Sequence, residues 1–273
     1  MNLLRWMSCL TVFGFCSPLL HAQTSQRIDS SAAYQAYVRE NSIRDSVLMK
    51  MGESEMLQVY NKFNILIEEG YLKNRKKDGI WTTFHPSGFP ATVVSWRNGK
   101  KNGTELILGK DGYMEASSTY LNDKLHGPLR VYFKGARLNK EIYYKEGIED
   151  GFRKMFFASG GRQEEGRMKE GKREGLTTWY YENGKKAVEY EYKNGEIDGH
   201  AVTYTENETA ATMGDYKQGK QIGMWKEFHP NGQLKEQGSY QNGLKEGTWN
   251  SYDEKGKLLA SKEFKLGELI QKK

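Results

Sequence analysis

Residues 223–247 read Gly223-Met-Trp-Lys-Glu-Phe228-His-Pro-Asn-Gly232-Gln-Leu-Lys-Glu-Gln-Gly238-Ser-Tyr240-Gln-Asn-Gly243-Leu-Lys-Glu-Gly247. A glycine is followed by a short run ending in an aromatic residue. A turn sequence, Pro-Asn-Gly, comes next, then a second alternating run ending in tyrosine. Asn-Gly and the closing glycine return the pattern to its start. Two runs of apolar period two, separated by residues that favour positive φ, describe a β-hairpin. Glycine at this density argues against helix.

The stretch is one copy of many. Gly79, Gly103, Gly127, Gly151, Gly175, Gly199, Gly223 and Gly247 stand 24 residues apart without a gap. A second column, Gly99 to Gly267, is broken only by Asp123, and a third runs from Gly88 to Gly256 with Ala136 and Glu208 as exceptions. Aromatic residues keep the same period. One column is Phe84, Leu108, Tyr132, Phe156, Tyr180, Tyr204, Phe228 and Tyr252; the other is Trp96, Tyr120, Tyr144, Met168, Tyr192, Tyr216, Tyr240 and Phe264. Eight units therefore fill 76–267. A degenerate copy at 52–75 precedes them, with Tyr60 and Leu72 in the aromatic columns, and 268–273 form a tail.

Hairpins joined by short loops must run antiparallel to their neighbours. The expected fold is all-β: an elongated antiparallel meander of about nine 24-residue hairpin repeats, roughly 80–90 Å long at ~4.8 Å per strand. Cross-strand aromatic pairs would hold it together more than one enclosed core. Composition agrees: 30 glycines, 5 prolines and 17 tyrosines against 11 phenylalanines. Whether both aromatic columns share a face depends on loop register, which the spacing leaves open. Residues 23–51 lie outside the period. Asp29-Ser30-Ser31 and the apolar positions from Ala33 to Met51 predict a short helical cap over the first strand, against the alternative of a frayed leader.

Residues 1–22 predict a signal peptide: Arg5 as the only charge, an apolar run from Leu10 to Leu20, and Ala22 before the cut. The run is too short to span a bilayer, and Phe15 before Cys16 does not suit a lipoprotein signal. Cleavage would remove both cysteines, Cys9 and Cys16, and take the net charge from +6 to +5 by loss of Arg5. The protein is then exported to the periplasm, the outer envelope surface or the outside of the cell, without disulfides or thiolate chemistry. So small a charge is no nucleic-acid footprint.

Catalytic, cofactor and metal sites are not expected. His85 and His229 sit six units apart, too far for one metal. The acidic row before the first glycine column (Asp78, Asp150, Glu174, Asp198, Glu246) reads as turn capping. No nucleophile elbow or phosphate loop occurs, and the residues outside the repeats are too few for a catalytic domain. Two surfaces remain. Trp81, Trp96, Tyr144, Tyr190, Tyr192, Trp225, Tyr240 and Trp249 form a candidate interaction face, with aromatic stacking that merely holds the sheet as the competing role. Lys76, Lys100, Lys124, Lys172 and Lys220 form a candidate basic row, with a solvated edge as its competitor.

The Gly-x-Trp-x-x-aromatic starts (Gly79-Ile-Trp81-Thr-Thr-Phe84, Gly223-Met-Trp225-Lys-Glu-Phe228, Gly247-Thr-Trp249-Asn-Ser-Tyr252), the Asn-Gly turns and links such as Tyr192-Lys-Asn-Gly195-Glu-Ile-Asp-Gly199 resemble the MORN-repeat variant family. Its bacterial members often carry a label as YwqK-type antitoxins of toxin–antitoxin systems. The resemblance covers 52–267 and departs from the pattern at Glu105, Arg153, Ala201 and Glu208. It implies a hairpin array used for interaction with proteins or membrane lipid. The function expected is an exported, non-catalytic protein-binding or scaffolding module of the bacterial cell envelope. Electrostatic attachment to anionic lipid or polysaccharide is one alternative, and an antitoxin-like role is a second.

Overall fold

The computed structural model describes residues 43–270. These form one antiparallel sheet of 22 strands, with no helix among the described residues. The order is a meander: β1 (Ile43–Met51), β2 (Ser54–Asn61), β3 (Leu66–Lys73), β4 (Lys76–Phe84) and β5 (Pro90–Arg97) each pair with the next. The same pairing continues to Leu258–Lys265 and the short Glu268–Leu269. The degenerate copy at 52–75 holds the β2–β3 hairpin.

The expected helical cap divides. Its part at 23–42 lies outside the described residues. Its last nine residues, Ile43–Met51, are a strand and not a helix. Pairing explains the difference: β2 would otherwise present a bare ladder, and β1 satisfies it across Val47–Gln58, Met49–Met56 and Lys50–Glu55. A short apolar run does not separate helix from strand by period alone.

Both turns lie where the spacing predicted, at the hairpin tips and between units, and they differ in type. The tight two-residue turn is the one between units, where both residues have positive φ: Asn98 (52°) with Gly99 (80°), Asn194 (53°) with Gly195 (90°), Asn242 (52°) with Gly243 (83°). This is the mirror-image geometry that follows the twist of the strands. At most hairpin tips one residue is left-handed, Gly184 and Gly232 for example, with Glu208 in that slot at one tip and Gly135 and Ala136 both left-handed at another. There the chain closes a wider loop, with Gly232 N donating to His229 O and His229 N donating to Gln233 O, both at 2.8 Å.

The strand resumes directly after the link turn, so the first glycine column lies inside a strand. Gly151 (121°) and Gly199 (130°) show what happens there: a left-handed residue bulges the strand and shifts its register. Every glycine of the column pairs with the second-column aromatic of its own unit, or with Met168: Gly79–Trp96, Gly175–Tyr192, Gly199–Tyr216, Gly223–Tyr240 and Gly247–Phe264 among them. The bulge keeps the sides, since Ile197 and Ala201 oppose Tyr192 and Tyr190. The odd step from Gly199 to Tyr204, and its equivalents, sets the two aromatic columns on opposite faces. Second-column aromatics and the tryptophans Trp81, Trp225 and Trp249 share one face of the sheet. The first column lies on the other, where Tyr204 Oη donates to Glu189 at 2.7 Å and Tyr252 Oη accepts from Gln237 at 3.3 Å.

Candidate interaction face

The tryptophan of a unit does not point into solvent. It lies over the preceding strand, where the matching position is glycine: Trp81 over Gly70, Trp225 over Gly214, Trp249 over Gly238. A Cβ on any of those glycines would fall inside the indole. Each Nε1 donates to the carbonyl one residue beyond that glycine: Tyr71 O at 2.8 Å, Asp215 O at 3.2 Å, Ser239 O at 3.1 Å. The three side chains are therefore buried, with 3%, 9% and 5% of their surface exposed. Where the tryptophan is missing, the pair is refilled in different ways. Ala201 faces Tyr190, and Thr177 takes the place over Gly166.

Second-column tyrosines stand between these indoles and nearly perpendicular to them. Tyr216 meets Trp225 at 5.2 Å and 89°, Trp225 meets Tyr240 at 5.9 Å and 84°, and Tyr240 meets Trp249 at 5.0 Å and 81°. Tyr190 and Trp179 extend the chain one way, and Phe264 ends it the other way. The edge-to-face arrangement suits the ring quadrupoles and contributes about 0.5–1.5 kcal/mol per pair beyond burial. Burial pushes the phenol of Tyr216 up to about 12 and raises those of Tyr190, Tyr192 and Tyr240, so all stay protonated.

Cations cover parts of the same face, each held by a carboxylate. Lys245 lies 3.7 Å from the Trp249 ring centre and 3.0 Å from Glu236. Lys77 sits 4.0 Å over Trp81, reaches Trp96 and pairs with Glu68. Arg173 covers Trp179 and Tyr192 and pairs with Glu164 at 2.7 Å.

Of the eight aromatic residues the repeat pattern singled out, Tyr190, Trp225, Tyr240 and Trp249 meet in one cluster. Tyr192 joins it through Trp179 at 6.3 Å. Trp81 and Trp96 form a separate group under Lys77, and Tyr144 stands apart, its hydroxyl donating to Glu149 at 3.3 Å. For the three buried tryptophans the stacking role holds; the half-buried tyrosines are the part that faces outward. The sequence reading missed Tyr216, Phe264 and Trp179. The first two belong to the same 24-residue column as Tyr192 and Tyr240, so the signal was present; Trp179 is off that column. Beside the cluster lies an open groove of about 350 Å³, lined by Tyr190, Tyr216, Trp225, Tyr240, Glu227 and Glu236 among others.

The link-turn edge carries the charged rows. Lys76, Lys100, Lys124, Lys172 and Lys220 are all exposed. The acids between them are turn caps: Asp78 accepts from Asn98 N, Glu174 from Asn194 N, Asp198 from Gln218 N and Glu246 from Leu266 N, each in the next link turn. At the tip edge the histidines act as staples. His85 and His229 each bond, through Nε2, a carbonyl of the following unit at 2.9 Å, Leu108 O and Tyr252 O. His126 lies beside Glu146 and His200 beside Asp215. Among the described residues no group of His, Cys, Asp and Glu side chains gathers in the manner of a metal site.

No curated protein matches the chain. Residues 173–194, 221–242 and 245–266 match the family model of the MORN repeat variant. Each match runs from the strand after one link turn, through a hairpin, to the first residue of the next link turn. These three units are matched as MORN-variant repeats, and the other units resemble them in their glycine pairings and link turns.

Proposed function

We propose that the protein is an exported, non-catalytic module that binds and scaffolds proteins in the bacterial cell envelope. MORN-variant repeats are suited to binding proteins or lipids. The observation that carries the protein reading is the ladder from Trp179 to Phe264, which keeps half-buried tyrosines rigid along an open groove. Preformed aromatic contacts lose little entropy on binding, as interface anchors do. Attachment to anionic lipid or polysaccharide through the five exposed lysines is the second reading. It is favoured by their common edge and opposed by the capping carboxylates that alternate with them.

The test is capture of envelope components on the immobilised protein, washed at low and at high salt. Three forms are compared: wild type, a Tyr216→Ser/Tyr240→Ser variant, and a variant with all five row lysines changed to glutamine. A protein retained at high salt by the wild type and lysine variant, but lost by the tyrosine variant, supports the proposal. Lipid or polysaccharide retained only at low salt, and lost with the lysines, would replace it with surface attachment. Intact mass of the cell-derived protein tests export: loss of residues 1–22 is expected, and their retention would sink the envelope assignment.

A further inference from the structure

A second groove, of about 380 Å³, lies on the same face of the sheet four repeats before the first. The two are built from equivalent positions of the 24-residue period, and their residues differ in a consistent way. Where the first has Thr203, Thr212, Gln221 and Glu227, the second has Ile107, Ala116, Leu125 and Val131. Leu129 stands in the slot of Trp225, and Lys140 in the place of Glu236. Polar side chains give way to apolar ones, and an acid gives way to a base.

Strand pairing sets the layout. Ile107, Ala116, Val131 and Lys140 form one cross-strand row over four adjacent strands. Tyr120 and Tyr144 also line the groove, each about 13 Å farther along its strand than Ala116 or Lys140, toward the link turns. Three of the charged lining residues are already engaged. Glu105 is buried, pairs with Lys101 and accepts from Ser118 at 3.3 Å. Asp123 accepts from Lys101 N at 2.7 Å, and Lys124 pairs with Glu146 at 3.2 Å. Lys140 Nζ has no ion pair or hydrogen bond among the described residues. The side chain is half-buried between Val131 and Met155 on the adjoining strands, with Leu138 and Ile142 beside it on its own. A half-buried cation with only apolar neighbours carries a desolvation cost that a bound anion recovers.

We propose that this groove binds an aliphatic carboxylate of medium chain length. Its acid group sits on Lys140 Nζ, and its chain lies over Ile107, Ala116, Leu129 and Val131. The site is separate from the protein-binding reading above. An extended decanoate is about as long as the groove between the Lys140 row and the two tyrosines, and the volume suits a small-molecule site. A sugar would find few polar partners, since Ser118 and Glu105 are bonded to each other. A cationic amphiphile would meet Lys140, while the Glu105 carboxylate is held by Lys101.

The experiment is calorimetric titration of the purified protein with decanoate, kept below the concentration at which it forms micelles. Decanol and decyltrimethylammonium serve as comparisons. Saturable binding of decanoate is expected, with decanol about tenfold weaker and no saturation by the cation. Lys140→Gln should weaken decanoate about tenfold and leave decanol unchanged, which a merely structural lysine would not do. Leu125→Gln with Lys140→Glu installs the residues that the same sheet carries at Gln221 and Glu236, and should abolish binding with an unchanged circular dichroism spectrum. Absence of saturation by decanoate, equal affinity for decanol, or wild-type affinity in Lys140→Gln would each overturn the inference. Capture of phosphatidylglycerol vesicles without decanoate binding would overturn it in favour of a membrane surface. The Tyr216→Ser/Tyr240→Ser variant should bind decanoate as the wild type does, so failure of this site and failure of the protein-binding reading are told apart; loss of decanoate binding in that variant would move the ligand to the other groove and overturn the assignment.

Discussion

The indole of Trp225 lies on the backbone of Gly214, and its Nε1 donates to the carbonyl of Asp215 at 3.2 Å. Tryptophan and glycine are thus one structural unit spread over two strands. Gly214→Ala should destabilise the array by about 1–3 kcal/mol, the usual cost of overpacking, because its methyl displaces the indole. In a Trp225→Ala background the same change should cost almost nothing, since the indole is gone. Urea unfolding of the four forms measures the coupling, and additive costs would refute the pairing.

Lys245 links the Trp249 ring and the Glu236 carboxylate. Lys245→Met keeps most of the apolar stem and removes the charge. We expect a loss of about 1 kcal/mol, reduced when Glu236→Gln is added, because the glutamate then has no missing partner. A loss that is unaffected by the second substitution would show that Lys245 acts through packing alone.

His229 fastens one hairpin tip to the next through Tyr252 O. His229→Ala should cost about 1 kcal/mol and speed amide exchange in the adjoining tip, where Gly256 N donates to Asp253 O and Asp253 N to Lys257 O. Exchange unchanged at those amides would mean the staple carries no local stability.

Alkaline behaviour follows from the tyrosines. Burial first, then Glu149, lifts Tyr144 to about 12; burial first, then the Glu189 hydrogen bond, does the same for Tyr204; burial dominates for Tyr216. An unfolded phenol ionises near 10.0. The folded state therefore holds its proton more tightly, and this contribution is complete below pH 10 and disappears as pH rises toward 12. Absorbance titration should show a late-ionising group of phenols and a thermal midpoint that falls across that interval. Titration of every tyrosine near 10 with the fold intact would contradict the burial.

The 24-residue period, the hairpins and the meander were all legible, because glycine and the aromatics keep their columns over eight units without an insertion. The faces were not. Gly79 and its equivalents look like loop residues, yet they lie in a continuing strand, and only with the glycine inside that strand does the step to the first-column aromatic fix the two sides. For the same reason Asn194-Gly195 and Asn183-Gly184 look alike in sequence and differ in geometry: only the first has both residues left-handed. Ile43–Met51 was misread as helix because a short apolar run carries no period of its own and its partner strand is not visible in sequence. On the candidate face, Trp225 and Trp249 were found by their column, but their burial followed from Gly214 and Gly238, whose role is to be empty. Tyr190 was singled out although it lies off the column, but Tyr216, which lines the groove beside it, was not.

Link turns are bonded in series: Gly195 N to Arg173 O, Gly219 N to Ile197 O, Gly243 N to Gln221 O and Gly267 N to Lys245 O, at 2.8 to 2.9 Å. Tension applied to the two ends of the meander runs along this stacking direction, parallel to the ladder hydrogen bonds. Such a load opens strands one after another from an end, like a zip, and does not shear them all at once. Each released unit of 24 residues pays out roughly 80 Å of extended chain. Anchored at one end and gripped at the other, the array would act as a shock absorber, yielding by small steps and refolding unit by unit when the strain passes.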